Sequence, residues 1–152
     1  LPPTGHLWSF RDCFFTRPLD RCITSIGDAC QGMLVDRGEF MSNDLDLPAQ
    51  ARTSVCMNIN ANDAKIRDNR FVRFGHFCVA AGTGNIISGN HWFQGDNSTA
   101  YRVAGLVITS RVPQATITGN YIDNATIEWT NEHDASPDFV DQYSFGGLTL
   151  KK

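Results

Sequence analysis

Lysine is nearly missing from this chain of 152 residues: Lys65, Lys151 and Lys152 stand against ten arginines, which are scattered rather than clustered. With a formal net charge of −3 there is no basic face of the kind that tracks phosphates, which argues against a nucleic-acid partner. Long apolar runs are missing too. None approaches the ~20 residues of a membrane-spanning helix, so no membrane span is expected. The first residues, Leu1-Pro2-Pro3-Thr4-Gly5-His6, are neither basic nor continuously apolar as a secretory leader would be. No two cysteines have C-x-x-C spacing, and no histidine falls at zinc-ligand distance from one in sequence, so no metal site is expected. Segments with helical periodicity are absent as well.

What is present is a repeated phrase. It reads Ile66-Arg67-Asp68-Asn69-Arg70-Phe71, then Ile87-Ser88-Gly89-Asn90-His91-Trp92, then Ile117-Thr118-Gly119-Asn120-Tyr121-Ile122. A β-branched residue is followed three positions later by Asn and five positions later by a large apolar residue. The asparagines are 21 and 30 residues apart, a period of stacked coils rather than of one globular core. Weaker copies precede them in Val35-Asp36-Arg37-Gly38-Glu39-Phe40 and Phe10-Arg11-Asp12-Cys13-Phe14-Phe15.

Between the phrases lie second strand candidates, Val55–Ile59, Phe77–Ala80 and Leu106–Thr109, each set off by a turn-rich stretch such as Asn60-Ala61-Asn62-Asp63 or Gly82-Thr83-Gly84-Asn85. Each repeat therefore reads strand, turn, strand, turn. Such short strands cannot bury a face alone, whereas stacking coil on coil pairs them in parallel around a continuous core. Ile66, Ile87 and Ile117 are expected to point inward. The facing of the second strand stays open, with either Cys56 or Met57 toward the core, because a one-residue slip exchanges the faces. Asn69, Asn90 and Asn120 are expected to sit in the left-handed conformation of a tight corner and to form a ladder of stacked side-chain amides.

The Ile-x-Gly-Asn-x-aromatic phrase resembles that of the right-handed parallel β-helix superfamily, the fold of pectate lyases, polygalacturonases and phage tailspikes. The resemblance spans about residues 7–150 and carries no catalytic signature of those enzymes. It implies an all-β, right-handed parallel β-helix of about five to six coils, a single domain over residues 1–152. Members of the superfamily also form spikes on phages and phage-like particles, including gene transfer agents. No amphipathic helix opens the chain, and Gly146-Gly147-Leu148-Thr149-Leu150 stops where a Gly-Asn corner should follow. A segment of a longer chain, incomplete at both ends, is therefore expected.

Five cysteines (Cys13, Cys22, Cys30, Cys56 and Cys78) leave at least one unpaired. The expected role is that of small buried apolar residues, with Cys56 and Cys78 stacked on neighbouring coils near Leu106. One disulfide within the Cys13 to Cys30 region, or a metal, is the alternative. Free buried thiols fit synthesis in a reducing cytoplasm followed by service outside the cell or on a particle surface.

Function in such a fold resides on an outer sheet face or in loops. Two insertions lengthen their coils, at residues 41–52 and 94–102, and Ile127–Asp134 is the densest cluster of ionisable and aromatic residues. On a strand, Glu132 and Asp134 are spaced at roughly 6.6 Å, compatible with the paired carboxylates of an inverting glycosidase. Trp129, Glu128, Tyr101 and Arg102 are the candidate glycan contacts. The competing reading makes this cluster a solvated strand end with Trp129 packed inside. A lyase would instead need a base and a charge such as Arg102 or Arg111, with Ca²⁺ held near Asp44 and Asp46. No other cofactor is expected. The function expected is recognition of surface polysaccharide by a spike or fibre segment of a phage-like particle. A polysaccharide lyase or glycoside hydrolase is the first alternative, and a structural rod the second. The expected partners are polysaccharide and either further copies of the chain or flanking domains.

Overall fold

The computed structural model describes residues 7–17, 21–25, 30–42, 54–74, 76–81, 84–93, 103–108, 116–123, 125–129, 138–140, 143–145 and 149–151. Every described regular element is a strand, and all described pairings are parallel. The first sheet holds β1 (Ser9–Arg11), β5 (Leu34–Asp36), β8 (Lys65–Arg67), β11 (Ile86–Ser88), β14 (Thr116–Thr118) and β17 (Asp138–Val140). The second holds β2 (Phe14–Thr16), β6 (Glu39–Met41), β9 (Arg70–Val72), β12 (His91–Phe93), β15 (Tyr121–Asp123) and β18 (Tyr143–Phe145). The third holds β3 (Ile23–Thr24), β7 (Val55–Asn62), β10 (His76–Ala81), β13 (Val103–Ile108), β16 (Ala125–Trp129) and β19 (Thr149–Lys151), with β4 (Cys30–Gln31) against the far end of β7. The chain visits the three sheets in the same order on each turn and steps to the neighbouring strand every time. This is a right-handed parallel β-helix of six coils.

Each coil has three sides, one more than the strand-turn-strand-turn reading gives. The repeated phrase is itself bent: its first half is a strand of the first sheet and its second half a strand of the second. Three-residue strands are too short to reveal their own alternation, so sequence shows a strand and a turn where two strands meet at a corner.

Register makes the phrase a set of columns. Phe10, Val35, Ile66, Ile87, Ile117 and Phe139 are consecutive partners across the first sheet. Val35, Ile66, Ile87 and Ile117 are all fully buried. The second sheet answers with Phe15, Phe40, Phe71 and Trp92 in one inward column. Phe15 and Phe40 stack with ring centroids 5.0 Å apart, Phe40 and Phe71 at 5.2 Å, and Phe71 and Trp92 tilt together at 6.1 Å. Strand spacing of ~4.8 Å brings like rings within stacking distance at every step, so the fold converts a sequence repeat into a continuous aromatic core.

The question of facing on the third sheet is answered by β7. Met57, Ile59 and Ala61 alternate into the core, yet Cys56 is buried as well. Cys78 pairs with Leu106 on one side, as the sequence suggests, but with Met57 rather than Cys56 on the other. The slip of one position places Cys56 beside Cys22 instead, whose N–H donates to the Cys56 carbonyl at 2.9 Å. Cys13, Cys22, Cys56 and Cys78 all carry free thiols.

Candidate functional site

Two residues separate the first-sheet strand from the second-sheet strand in every coil, and they are chemically distinct. The first takes the left-handed conformation: Asp12 (φ 52°), Arg37 (52°), Asp68 (55°), Gly89 (62°) and Gly119 (61°). This corrects the assignment of left-handed geometry to Asn69, Asn90 and Asn120, whose φ values are all negative. Glycine suits the first position because it has no Cβ to clash. At Gly89 a Cβ would run into Asp68 Oδ1 of the adjacent coil, whereas at Gly119 the space is open.

In three of these corners an asparagine comes second, Asn69, Asn90 or Asn120, buried in each case. Asn90 Oδ1 accepts from the Asn69 main-chain N–H at 3.0 Å and from Asn69 Nδ2 at 3.0 Å. Its own Nδ2 donates to the Ile66 carbonyl at 2.9 Å and to Asn120 Oδ1 at 3.0 Å. Asn69 Nδ2 likewise donates to the Val35 carbonyl, Asn120 Nδ2 to that of Ile87, and the Gly38 N–H to Asn69 Oδ1. Each amide thus satisfies main-chain groups of the coil beside it that a buried corner would otherwise strand. Asn85 does the same at the corner between the third and first sheets, where its Oδ1 accepts from the Ala64 N–H at 3.0 Å. The sequence signal for it was present, since Gly84-Asn85 repeats the dipeptides Gly89-Asn90 and Gly119-Asn120.

These corners aim the residue after each asparagine outward. One row of the second sheet runs Phe14, Glu39, Arg70, His91 and Tyr121 in consecutive register. Phe14 is 61% exposed and Tyr121 38% exposed. Arg70 Nη1 binds Glu39 Oε1 at 2.9 Å, and the His91 ring meets Tyr121 edge-on at 4.9 Å. Phe93, half-buried on the same strand, closes on the other flank of His91 at 6.2 Å. Aromatic rings, a guanidinium, a carboxylate and an imidazole are thus displayed on one straight line.

Beside this row an ion-pair network ties three coils together. Arg37 grips Asp12 through Nε–Oδ1 at 2.8 Å and Nη2–Oδ2 at 2.9 Å, and its Nη1 reaches Asp36 Oδ2 at 2.8 Å. Arg67 meets the other side of Asp36, with Nε 3.2 Å from Oδ1. Asp36 is buried beneath the two guanidiniums. The Arg37 fork holds the Asp12 carboxyl below the usual carboxylate range. Asp12, Asp36 and Glu39 are all engaged with arginines, so none stands as an uncommitted acid–base group. Among the described residues no group of three or more His, Cys, Asp or Glu side chains is arranged to hold a metal.

Of the residues singled out from sequence, Tyr101, Arg102, Glu132 and Asp134 lie outside the described residues, as do Arg111, Asp44 and Asp46. Glu128 and Trp129 lie on β16, where Glu128 pairs with Val107 and Lys151, and Trp129 with Ile108. That strand belongs to the third sheet, a different side of the helix from the outward row. Ser42, at the start of the insertion at 41–52, and Ser54, just past it, share a hydroxyl–hydroxyl hydrogen bond of 2.9 Å. No protein-family model matches the chain, and comparison with the curated proteins and with the solved structures returns no significant match.

Proposed function

We propose that this chain recognises surface polysaccharide as a spike or fibre segment of a phage-like particle, with the outward row of the second sheet as a principal sugar-binding surface. The supporting observation is the exposed line Phe14, Glu39, Arg70, His91 and Tyr121, held in register by five consecutive strands. A polysaccharide is itself a linear repeat, and a β-helix meets it with a linear repeat of ~4.8 Å. Exposed rings offer apolar faces to the C–H faces of sugars, while Arg70, Glu39 and His91 supply donors and acceptors for hydroxyls. Because the row stands on short strands fixed at one end by buried amides, little freedom is lost on binding. The chemistry suits an uncharged or weakly charged glycan better than a polyanion, since Arg70 is already paired with Glu39.

Binding to an array of bacterial capsular and lipopolysaccharide glycans tests this. Tyr121→Ala and Arg70→Ala are expected to weaken binding at least tenfold with little change in unfolding midpoint. Trp129→Ala probes the third sheet separately. Retained binding in the two second-sheet variants and loss in Trp129→Ala would move the site to the face first picked out from sequence. Release of reducing or unsaturated ends from an acidic polysaccharide, abolished by Glu132→Gln, would instead make the chain an enzyme. Failure of the unmodified chain to bind any glycan, with concentration-dependent self-assembly, would leave a structural rod.

A further inference from the structure

We propose that Cys22 and Cys56 are a latent inter-coil disulfide, an oxidative modification site that closes when the folded protein meets a small-molecule disulfide. The geometry carries this independently of any glycan. Ile23 and Met57 are register partners, and the preceding residues are joined by the Cys22 N–H to Cys56 carbonyl bond of 2.9 Å. Neighbouring strands run ~4.8 Å apart, inside the ~4.4–6.8 Å window of Cα separations that a disulfide spans. The two side chains interact across the neighbouring strands, each bearing on the ionisation of the other. Cys78, by contrast, has Met57 and Leu106 as its register partners and lies wholly inside.

The environments of the two sulfurs set the order of events. Cys22 is only part-buried, and the Cys56 side chain favours its thiolate. Burial pushes the Cys56 thiol well above its ordinary range, and burial alone pushes Cys78 up to about 12. With oxidised glutathione, the Cys22 thiolate attacks one sulfur of the glutathione disulfide and expels one glutathione thiolate. The Cys56 thiol then gives its proton to solvent and attacks the Cys22 sulfur of the mixed disulfide, expelling the second glutathione thiolate. Two protein thiols are oxidised and one glutathione disulfide is reduced to two glutathiones. The new bond closes the chain from residue 22 to residue 56, a loop that contains the insertion at 41–52. Constraining that loop in the unfolded chain stabilises the first two coils.

The test uses the reduced full chain, incubated with oxidised glutathione, quenched with iodoacetamide, digested without reduction and read by mass spectrometry. The expected product is a peptide linking Cys22 to Cys56, lighter than its reduced parts by two hydrogens. Thermal unfolding of the oxidised protein is expected to shift upward by roughly 5–10 °C. Cys13→Ser should keep both the linked peptide and the shift, and Cys22→Ser should lose both while remaining folded in the reduced state. A link from Cys22 to Cys13 or Cys30, a link between Cys56 and Cys78, glutathione held stably on Cys22, or alkylation of both thiols would overturn the proposal.

Discussion

The two bends that flank the second sheet differ sharply. Between the first and second sheets every coil spends two residues, the first in left-handed geometry at all five described corners and the second a buried asparagine at three of them. Between the second and third sheets the connection runs from the single residue between Asp123 and Ala125 to the long stretch between Met41 and Val55. A corner whose side chain completes the hydrogen bonding of the next coil tolerates no change in length. Where main-chain bonds such as Arg73 N–H to the Phe93 carbonyl serve instead, chain can be added between coils. The solenoid thus has a fixed seam that sets register and a variable seam that accepts insertions.

The steepest way to break the fixed seam is through the ring column behind it. Trp92→Ala removes the largest fully buried side chain among the described residues and is expected to cost about 3–5 kcal/mol, read as a fall in the urea unfolding midpoint. Next comes the ladder. Asn90→Ala strands the Asn69 N–H and the Ile66 carbonyl, both inside, and about 2–3 kcal/mol of stability should go with them. A loss under about 0.5 kcal/mol would mean that the amide is decoration rather than structure.

The two glycines sharpen the comparison further. Gly89→Ala and Gly119→Ala share the same unfavourable backbone geometry, worth about 1 kcal/mol each. Only Gly89→Ala also forces a Cβ against Asp68 Oδ1, so it should unfold at lower denaturant than Gly119→Ala. Equal midpoints would show that Asp68 simply swings away. The smallest effect belongs to the exposed Asp12–Arg37 pair. The folded Asp12 pKa is depressed, so its contribution is present above its unfolded value of 3.8 and lost as pH falls through the lower folded value. Asp12→Asn should therefore lower the melting temperature near neutral pH by about a degree or less, vanish as a difference in strong acid, and fade with added salt.

Much of the architecture was legible because the phrase repeats with its inward residue always first. Ile66, Ile87 and Ile117 could be aligned by eye, and alignment is register. The left-handed position was misassigned because Gly and Asn, side by side in Gly89-Asn90 and Gly119-Asn120, both tolerate that conformation. Asp68 before Asn69 held the clue, since there the first position is not glycine and the second is still asparagine. The one-residue slip between Cys56 and Cys78 was hidden by connections of unequal length. The outward row escaped notice because Arg70, His91 and Tyr121 share no chemical type. Only the position after each corner asparagine unites them, and position has meaning once the coils are stacked.

Amide hydrogen exchange at the fixed seam tests this account most directly. The main-chain N–H groups of Gly38, Asn69 and Asn90 sit in tight bends, where unassisted amides exchange quickly, yet each donates to a buried side-chain oxygen. The account predicts protection matching that of the core strand residues Ile66 and Ile87, lost at Asn69 in the Asn90→Ala protein. Exchange of these three amides at the rate of open turns in the native protein would contradict it.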